Sequence, residues 1–278
     1  MTKPDTQDYK TLYQEQKIQH QFMLSKISHE IRNPVTLVNS FLQILEDHHP
    51  ELTEDSCWMK VMDNMDFLKK LLNEFSNFNN SEKITLQPVN LYRLFSSITD
   101  STMPKLSEKG ISIVLEKRSP IPLIPVDETK IRQLLLNLIR NAAESIEEKG
   151  AITCAIESDG KTITLSVTDT GCGILPEQQD QIFEPFTTFK QEGTGLGLPI
   201  CKRIAEAHNG TLSFTSVPGK GTTFCLVLPV SWFFWVTGTF SPTPVKQNSQ
   251  KESAYQTPYM GGIVHPCTGI TMIQTKKS

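Results

Sequence analysis

No apolar run in this 278-residue chain is long enough to cross a bilayer. The longest burst, Trp232-Phe233-Phe234-Trp235-Val236, falls far short of the roughly 18 residues a span requires. Any membrane contact is therefore left to a membrane-bound sensory partner. The first ten residues are polar and lack the apolar core of a secretion signal, so a cytoplasmic location is expected. Basic residues are not in excess: 27 Lys and Arg face 30 Asp and Glu, for a net charge of -3, which argues against a nucleic-acid partner. Six cysteines are scattered without a C-x-x-C pair, a pattern of reduced thiols rather than a disulfide framework or a zinc site. A hydrophobic fraction of 38% suffices for one large core or two modest ones.

The apolar residues that are present fall into two rhythms. From Lys10 to Asp47, Ile18, Phe22, Leu24, Ile27, Ile31, Val35, Val38, Phe41, Leu42 and Leu45 recur mostly three and four apart, which predicts a long helix interrupted at Pro34. Thr53 is placed to cap a second helix running to about Phe78, with Trp58, Val61, Met62, Met65, Leu68, Leu71, Leu72 and Phe75 on one face. Two such helices form an antiparallel hairpin, and a lone hairpin cannot bury two apolar stripes. A homodimeric four-helix bundle is expected. After the polar break Asn79–Lys83, a hinge candidate, helices alternate with strands. Helices are predicted over 91–103, 128–149 and 198–208, and strands over 111–116, 151–158, 162–169, 211–216 and 222–228. This order implies an α+β sandwich with helices on one face of a mostly antiparallel sheet. The organisation expected is an N-terminal lead (1–14), a helical hairpin (15–80), a sandwich (81–229) and an irregular or disordered tail (230–278), rich in Thr, Ser, Pro, Gln and Gly.

Four short runs carry candidate chemistry. Ser28-His29-Glu30-Ile31-Arg32-Asn33-Pro34 sets an imidazole beside a carboxylate on the first helix. A neutral imidazole nitrogen is a competent nucleophile towards phosphorus, and Glu30 could hold the proton of the other nitrogen as a general base. Asn33 lies one turn on, able to orient a water or a phosphoryl oxygen. Asn137 and Asn141, at i and i+4 on the helix over 128–149, put two amides on one face, suited to phosphate oxygens and a hydrated Mg²⁺. Asp169-Thr170-Gly171-Cys172-Gly173 brings a carboxylate from a strand end into a glycine turn, where it can accept from an exocyclic amine. Gly193-Thr194-Gly195-Leu196-Gly197 precedes a helix and exposes amides that suit phosphate. Between the two glycine runs, Phe183 and Phe186 could anchor a lid, with Lys190 reaching a phosphate. Each run alone also has a reading as ordinary structure: a surface His-Glu pair, two exposed asparagines, a strand-end turn, a flexible glycine segment.

Their order and spacing together resemble the sensor histidine kinases of bacterial two-component signalling, most closely the nitrogen-regulatory and sporulation kinases. The resemblance covers about residues 15–229 through the H box at His29, the N box at Asn137–Glu144, the G1 box at Asp169–Gly173, the F box at Phe183–Phe186 and the G2 box at Gly193–Gly197. It implies a dimerisation and histidine-phosphotransfer hairpin followed by an ATP-binding domain of the fold shared by gyrase and heat-shock chaperone ATPases. It further implies ATP-dependent phosphorylation of His29, with Glu30 as general base and Asn33 assisting dephosphorylation of the partner. Asn141 would bind Mg²⁺ with Asn137 beside it, Asp169 would bind adenine, and Gly171, Gly173, Gly193, Gly195 and Gly197 would shape the pocket and lid. The partner implied is a response regulator whose aspartate takes the phosphoryl group. The 28 residues before His29 are too few for a sensing domain. The rival readings are an ATPase of the same fold without histidine transfer, a phosphatase or scaffold, and a phosphotransfer-only module.

Overall fold

The computed structural model describes residues 6–190 and 193–230, without the side chains of residues 6–22, 24, 25 and 29. The expected irregular tail from 231 onward lies outside the described residues. Helix α1 runs from Thr6 to His48. The interruption expected at Pro34 does not occur: proline removes one backbone donor, and the hydrogen bonds on either side carry α1 through it as one element. A 3-10 turn, Pro50–Glu54, follows, and α2 spans Ser56–Asn79. Thr53 does not cap α2; its hydroxyl donates to the Pro50 carbonyl at 2.8 Å. The cap is Asp55, whose carboxylate accepts from the amides of Cys57 (2.7 Å) and Trp58 (3.0 Å).

The two helices pack as an antiparallel hairpin. Arg32 donates to the Asn73 side chain at 3.3 Å, and Lys69 to that of Asn39 at 3.2 Å. The apolar stripe is only half used. Ile27, Ile31, Val38, Phe41, Ile44 and Leu45 of α1 and Met59, Val61 and Phe67 of α2 stay exposed.

Beyond the hairpin, five strands form one sheet in the order β2 (Ile111–Lys117), β4 (Gly150–Ser158), β5 (Thr162–Asp169), β7 (Gly221–Pro229), β6 (Thr211–Val217). Only β2 and β4 are parallel; the other pairs are antiparallel. Helices α3 (Leu91–Glu108), α4 (Glu128–Ser145) and α6 (Gly197–Ala207) cover one face. Strand β5 alternates inward Ile163, Leu165 and Val167 with half-buried Thr and Ser, the period-2 pattern of a sheet packed on one side. The inward residues meet Leu134, Leu135 and Leu138 of α4 and Ile200 and Ile204 of α6 in one core. Two short strands, β1 (Gln87–Val89) and β3 (Ile124–Val126), pair apart from the main sheet, and a single turn of helix, α5, spans Pro176–Gln179. Helix α4 ends at Ser145, short of the expected 149, and Gly150 opens β4 beside Thr170. A Cβ at Gly150 would come within 2.6 Å of the Thr170 hydroxyl.

The segment Asn79–Lys83, a hinge candidate in sequence, is docked. Asn79 and Ser81 are buried. The Arg203 guanidinium of α6 lies 3.9 Å from the Phe78 ring centroid, donates to the Phe78 carbonyl at 3.3 Å and pairs with Glu82 at 3.8 Å. Cys57, Cys154, Cys172 and Cys201 are free thiols, as the scattered spacing predicts for these four. Among the described residues no helix is long and apolar enough to cross a membrane.

Candidate active site

Helix α4 organises the site. Asp127 caps it by accepting from the Lys130 amide at 3.0 Å, and Ile131, Leu134, Leu135, Leu138, Ile139 and Ala142 bury one face. The opposite stripe then carries Asn137, Arg140, Asn141, Glu144 and Ser145 at helical spacing. Leu136, on neither the buried face nor the polar stripe, is exposed.

At the C-terminal end of this stripe sits Asp169, the last residue of β5 and only 4% exposed. Its Oδ1 accepts from the Ser145 hydroxyl (3.1 Å), the Gly171 amide (2.9 Å) and the Thr222 amide (3.2 Å). Burial pushes its pKa upward, against the pull of those three donors and of the Lys190 charge. Oδ2 has no partner among the described residues and is the acceptor left for a ligand. Gly171 leaves room that a side chain would take, since a Cβ there would meet the Ser145 carbonyl oxygen at 2.6 Å. The Cys172 amide bonds that same carbonyl at 3.0 Å, which fixes the turn under the end of α4. Gly173 has φ +71 and backs onto the β6–β7 turn.

At the other end lies the second glycine run. Asn137 donates to the Gly197 carbonyl at 3.4 Å and accepts from Arg140 at 3.2 Å, so its amide ties α4 to the start of α6. Leu196, at the N-cap of α6, supplies no side-chain cap, and Pro199 has no N–H. The amides of Gly197 and Leu198 have no side-chain acceptor among the described residues, the arrangement in which a helix N-terminus receives an anion. Between these ends stands Asn141, half-buried, its amide without a hydrogen-bond partner among the described residues. From Ser145 to Asn137 the stripe climbs about 12 Å, at 1.5 Å per residue. A buried acceptor for an amine at one end and uncapped amides at the other, over that length, match an extended nucleoside triphosphate.

The lid segment is held from both sides. Phe183 packs edge-on against Phe214 at 5.9 Å. Phe186 is exposed, with φ +65, and its amide donates to the Gly195 carbonyl at 3.0 Å. Gly195 has φ +68, and a Cβ there would come within 2.5 Å of the Phe186 carbonyl carbon. The Gly193 amide bonds the Lys190 carbonyl at 3.2 Å. Lys190, a phosphate-reaching candidate, is paired with Glu144 at 2.5 Å. Gly197 is under less pressure: a Cβ there would meet Arg140 at an ordinary 3.5 Å.

The candidate phosphoacceptor run sits on α1. Glu30 is exposed and 3.8 Å from Lys26. Asn33 is exposed, and Ser28 is buried. Arg32, one turn from His29, bonds Asn73 of α2, and the next residue, Glu74, bonds Arg140 and the Thr194 hydroxyl. The level of His29 on the hairpin is thereby joined to the wall of the α4 stripe. Ser145, Thr222 and Glu74 lie outside the motif runs, and Arg140 and Thr194 lie inside them without having been singled out. Ser145 lies one turn beyond Asn141, which is a usable signal, whereas Thr222 depends on the β5–β7 register.

A lone amide oxygen at Asn141 is a modest metal ligand. It fits Mg²⁺, which takes oxygen ligands and keeps waters and phosphate oxygens for the rest. No cluster of three or more His, Cys, Asp or Glu that could hold a metal occurs among the described residues.

Residues 126–231 match the family of histidine kinase-, DNA gyrase B- and HSP90-like ATPases. The chain is 34% identical over 206 residues to the sensor histidine kinase ZraS of Escherichia coli K12, covering 74% of this chain and 44% of that protein. Among solved structures it resembles full-length ShkA in complex with AMPPNP, with a TM-score of 0.64 and 30% identity over 74% of this chain and 45% of that one. It also resembles the histidine kinase ThkA in complex with the response regulator TrrA, with a TM-score of 0.58 and 25% identity over 82% of this chain and 68% of that one. The chain spans 44% of the length of ZraS. With an ATPase domain of this kind and kinase relatives that match well beyond it, the chain belongs to the sensor histidine kinase family.

Proposed function

We propose that the chain phosphorylates His29 with the γ-phosphoryl group of ATP and passes it to an aspartate of a response regulator, working as a homodimer in the cytoplasm. The observation that carries this reading is the link Arg32–Asn73 and Glu74–Arg140, which sets the level of His29 beside the nucleotide stripe. The ShkA neighbour was solved with AMPPNP and the ThkA neighbour with a response regulator, which favours ATP and a receiver domain as the two partners. The exposed stripe on α1 and α2 favours a second copy as its cover.

The roles follow from the chemistry of each group. Asp169 Oδ2 accepts the exocyclic amine of adenine, while Gly171 and Gly173 let backbone lie close to the base. The Asn141 amide oxygen would hold Mg²⁺, which would supply charge neutralisation for the phosphates. The amides of Gly197 and Leu198 and the Gly193–Gly195 segment receive the phosphate end, with Asn137 bracing α6 and Lys190 exchanging Glu144 for phosphate. A neutral His29 ring nitrogen attacks the γ-phosphorus as the bond to the bridging oxygen breaks and ADP leaves. Glu30 takes the proton from the other ring nitrogen, and Asn33 orients the water that later hydrolyses the regulator's aspartyl phosphate. The hairpin (15–80) and the ATP-binding domain (81–229) act as separate bodies joined at Asn79–Lys83, so the docked segment must release for the attack. Incubation with γ-labelled ATP and Mg²⁺ tests the reading. Acid-labile, alkali-stable label lost in His29→Gln supports it, and label retained in that variant overturns it.

A further inference from the structure

We propose that Glu74 is an anionic latch that occupies phosphate-binding groups of the nucleotide site and is displaced when phosphate arrives. The inference rests on the nucleotide reading above and adds a regulator to that site. The Glu74 side chain is only 13% exposed, unusual for a glutamate. Its two oxygens are used by two walls of the site. Oε1 lies 3.4 Å from Arg140 Nη2, and Oε2 accepts the Thr194 hydroxyl. Arg140 stands on the α4 stripe between Asn137, which it bonds at 3.2 Å, and Glu144, 4.0 Å away. Thr194 lies inside the glycine run, and its hydroxyl oxygen accepts from the Leu196 amide at 3.4 Å. One carboxylate of the hairpin thus clamps the α4 stripe to the glycine run. The adjacent Phe75 meets Phe186 at 6.3 Å, so the latch and the lid share one junction.

A triphosphate carries several negative charges to the same place. A carboxylate and a phosphate cannot both hold the Arg140 guanidinium and the Thr194 hydroxyl without facing one another, and like charges at that range repel. Nucleotide and Glu74 therefore compete. Linkage makes the competition reciprocal: the latch weakens phosphate binding, and phosphate opens the latch. Opening frees α2 from the lid, and with it the helix pair that carries His29. In this way occupancy of the site is coupled to release of the hairpin.

Two readouts test this on the whole chain. In the nucleotide-free protein, amide hydrogen exchange over 186–190 and 193–197 should rise several-fold in Glu74→Gln and more in Glu74→Ala, with the rest of the sandwich unchanged. This arm does not depend on nucleotide binding. By calorimetry, Glu74→Gln should bind AMPPNP with Mg²⁺ about tenfold more tightly, about 1.4 kcal/mol, while adenosine, which lacks phosphates, binds as in wild type. Asp66→Asn, which removes the same charge from α2 where it pairs with Lys69, controls for net charge and should change neither readout. Unchanged exchange in both Glu74 variants overturns the latch. So does an AMPPNP affinity that stays level or weakens, or an adenosine affinity that rises in step. If wild type binds no AMPPNP, the nucleotide reading fails on its own, and the exchange arm still decides whether Glu74 clamps the lid.

Discussion

Replacing Asp169 with asparagine should separate base recognition from folding. Oδ1 of Asp169 takes three donors, from Ser145, Gly171 and Thr222, and a side-chain amide can offer its oxygen to the same three. The amide nitrogen then stands where Oδ2 was, and an acceptor for the adenine amine becomes a donor facing a donor. A hydrogen bond to a charged group contributes about 1.5–3 kcal/mol, so ATP affinity should fall by about 10- to 150-fold. The variant should gain relative preference for a hypoxanthine nucleotide, whose ring presents a carbonyl at the position of the amine. The fold should not suffer. Burial raises the Asp169 pKa in the folded state, so its contribution to stability is full below the unfolded value of 3.8 and is lost as pH rises through the folded value. Above the folded value the ionised carboxylate is thus a cost, and the apo variant should melt there at or above wild type, with the difference narrowing in acid. Calorimetric titration with AMPPNP and its hypoxanthine analogue, alongside melting curves, reads both effects. Unchanged AMPPNP affinity would refute the assignment to adenine. A drop of many degrees in melting temperature would show that Oδ2 holds the fold together.

Three further outcomes follow from local geometry. His208 is buried, its Nδ1 donating to the Ile204 carbonyl at 2.7 Å and its Nε2 accepting from the Asp127 amide at 2.9 Å, and the second contact needs the neutral ring. Burial lowers its pKa from 6.5, and the stability it contributes is present above 6.5 and lost as pH falls through the folded value; melting temperature between pH 8 and 5 should fall less steeply in His208→Gln. Gly195→Ala puts a side chain at φ +68 against the Phe186–Thr187 backbone and should cost at least about 1–2 kcal/mol and most nucleotide affinity, whereas Gly197→Ala, whose Cβ meets Arg140 at 3.5 Å, should retain wild-type melting. Phe41→Glu, at an exposed position of the α1 stripe, should convert a dimer to a monomer by light scattering without changing helix content.

The sequence is most legible where one period persists. The alternation in β5 gives that strand to the residue, and the 3.6 spacing in α4 gives its start at Glu128 and its buried face, because each packs one face on the core. Helix ends are less legible, because caps are decided by local competition. Asp55 outcompetes Thr53 for the start of α2, and Gly150 is claimed by β4 rather than by the end of α4. Strands β1 and β3 go unseen because three residues carry no period; their pairing joins positions far apart in the chain. Within the site, Asn137, Asn141, Asp169 and the glycines stand out because their residue types are unusual at those positions. Their supports do not: Thr222 reaches Asp169 through strand register, and Glu74 reaches Arg140 and Thr194 across the docking of α2. Asn79–Lys83 reads as a polar break, yet Arg203, more than a hundred residues away, binds the Phe78 carbonyl just before it and pairs with Glu82 within it. Such contacts are properties of tertiary packing.

The central claim is histidine phosphorylation, and the most direct measurement is the stability of the label. Purified protein incubated with γ-labelled ATP and Mg²⁺ should acquire phosphate that survives alkali, is lost in acid and is absent from His29→Gln, while that variant keeps wild-type affinity for AMPPNP. Acid-stable label, or label equal in the variant, would contradict the account.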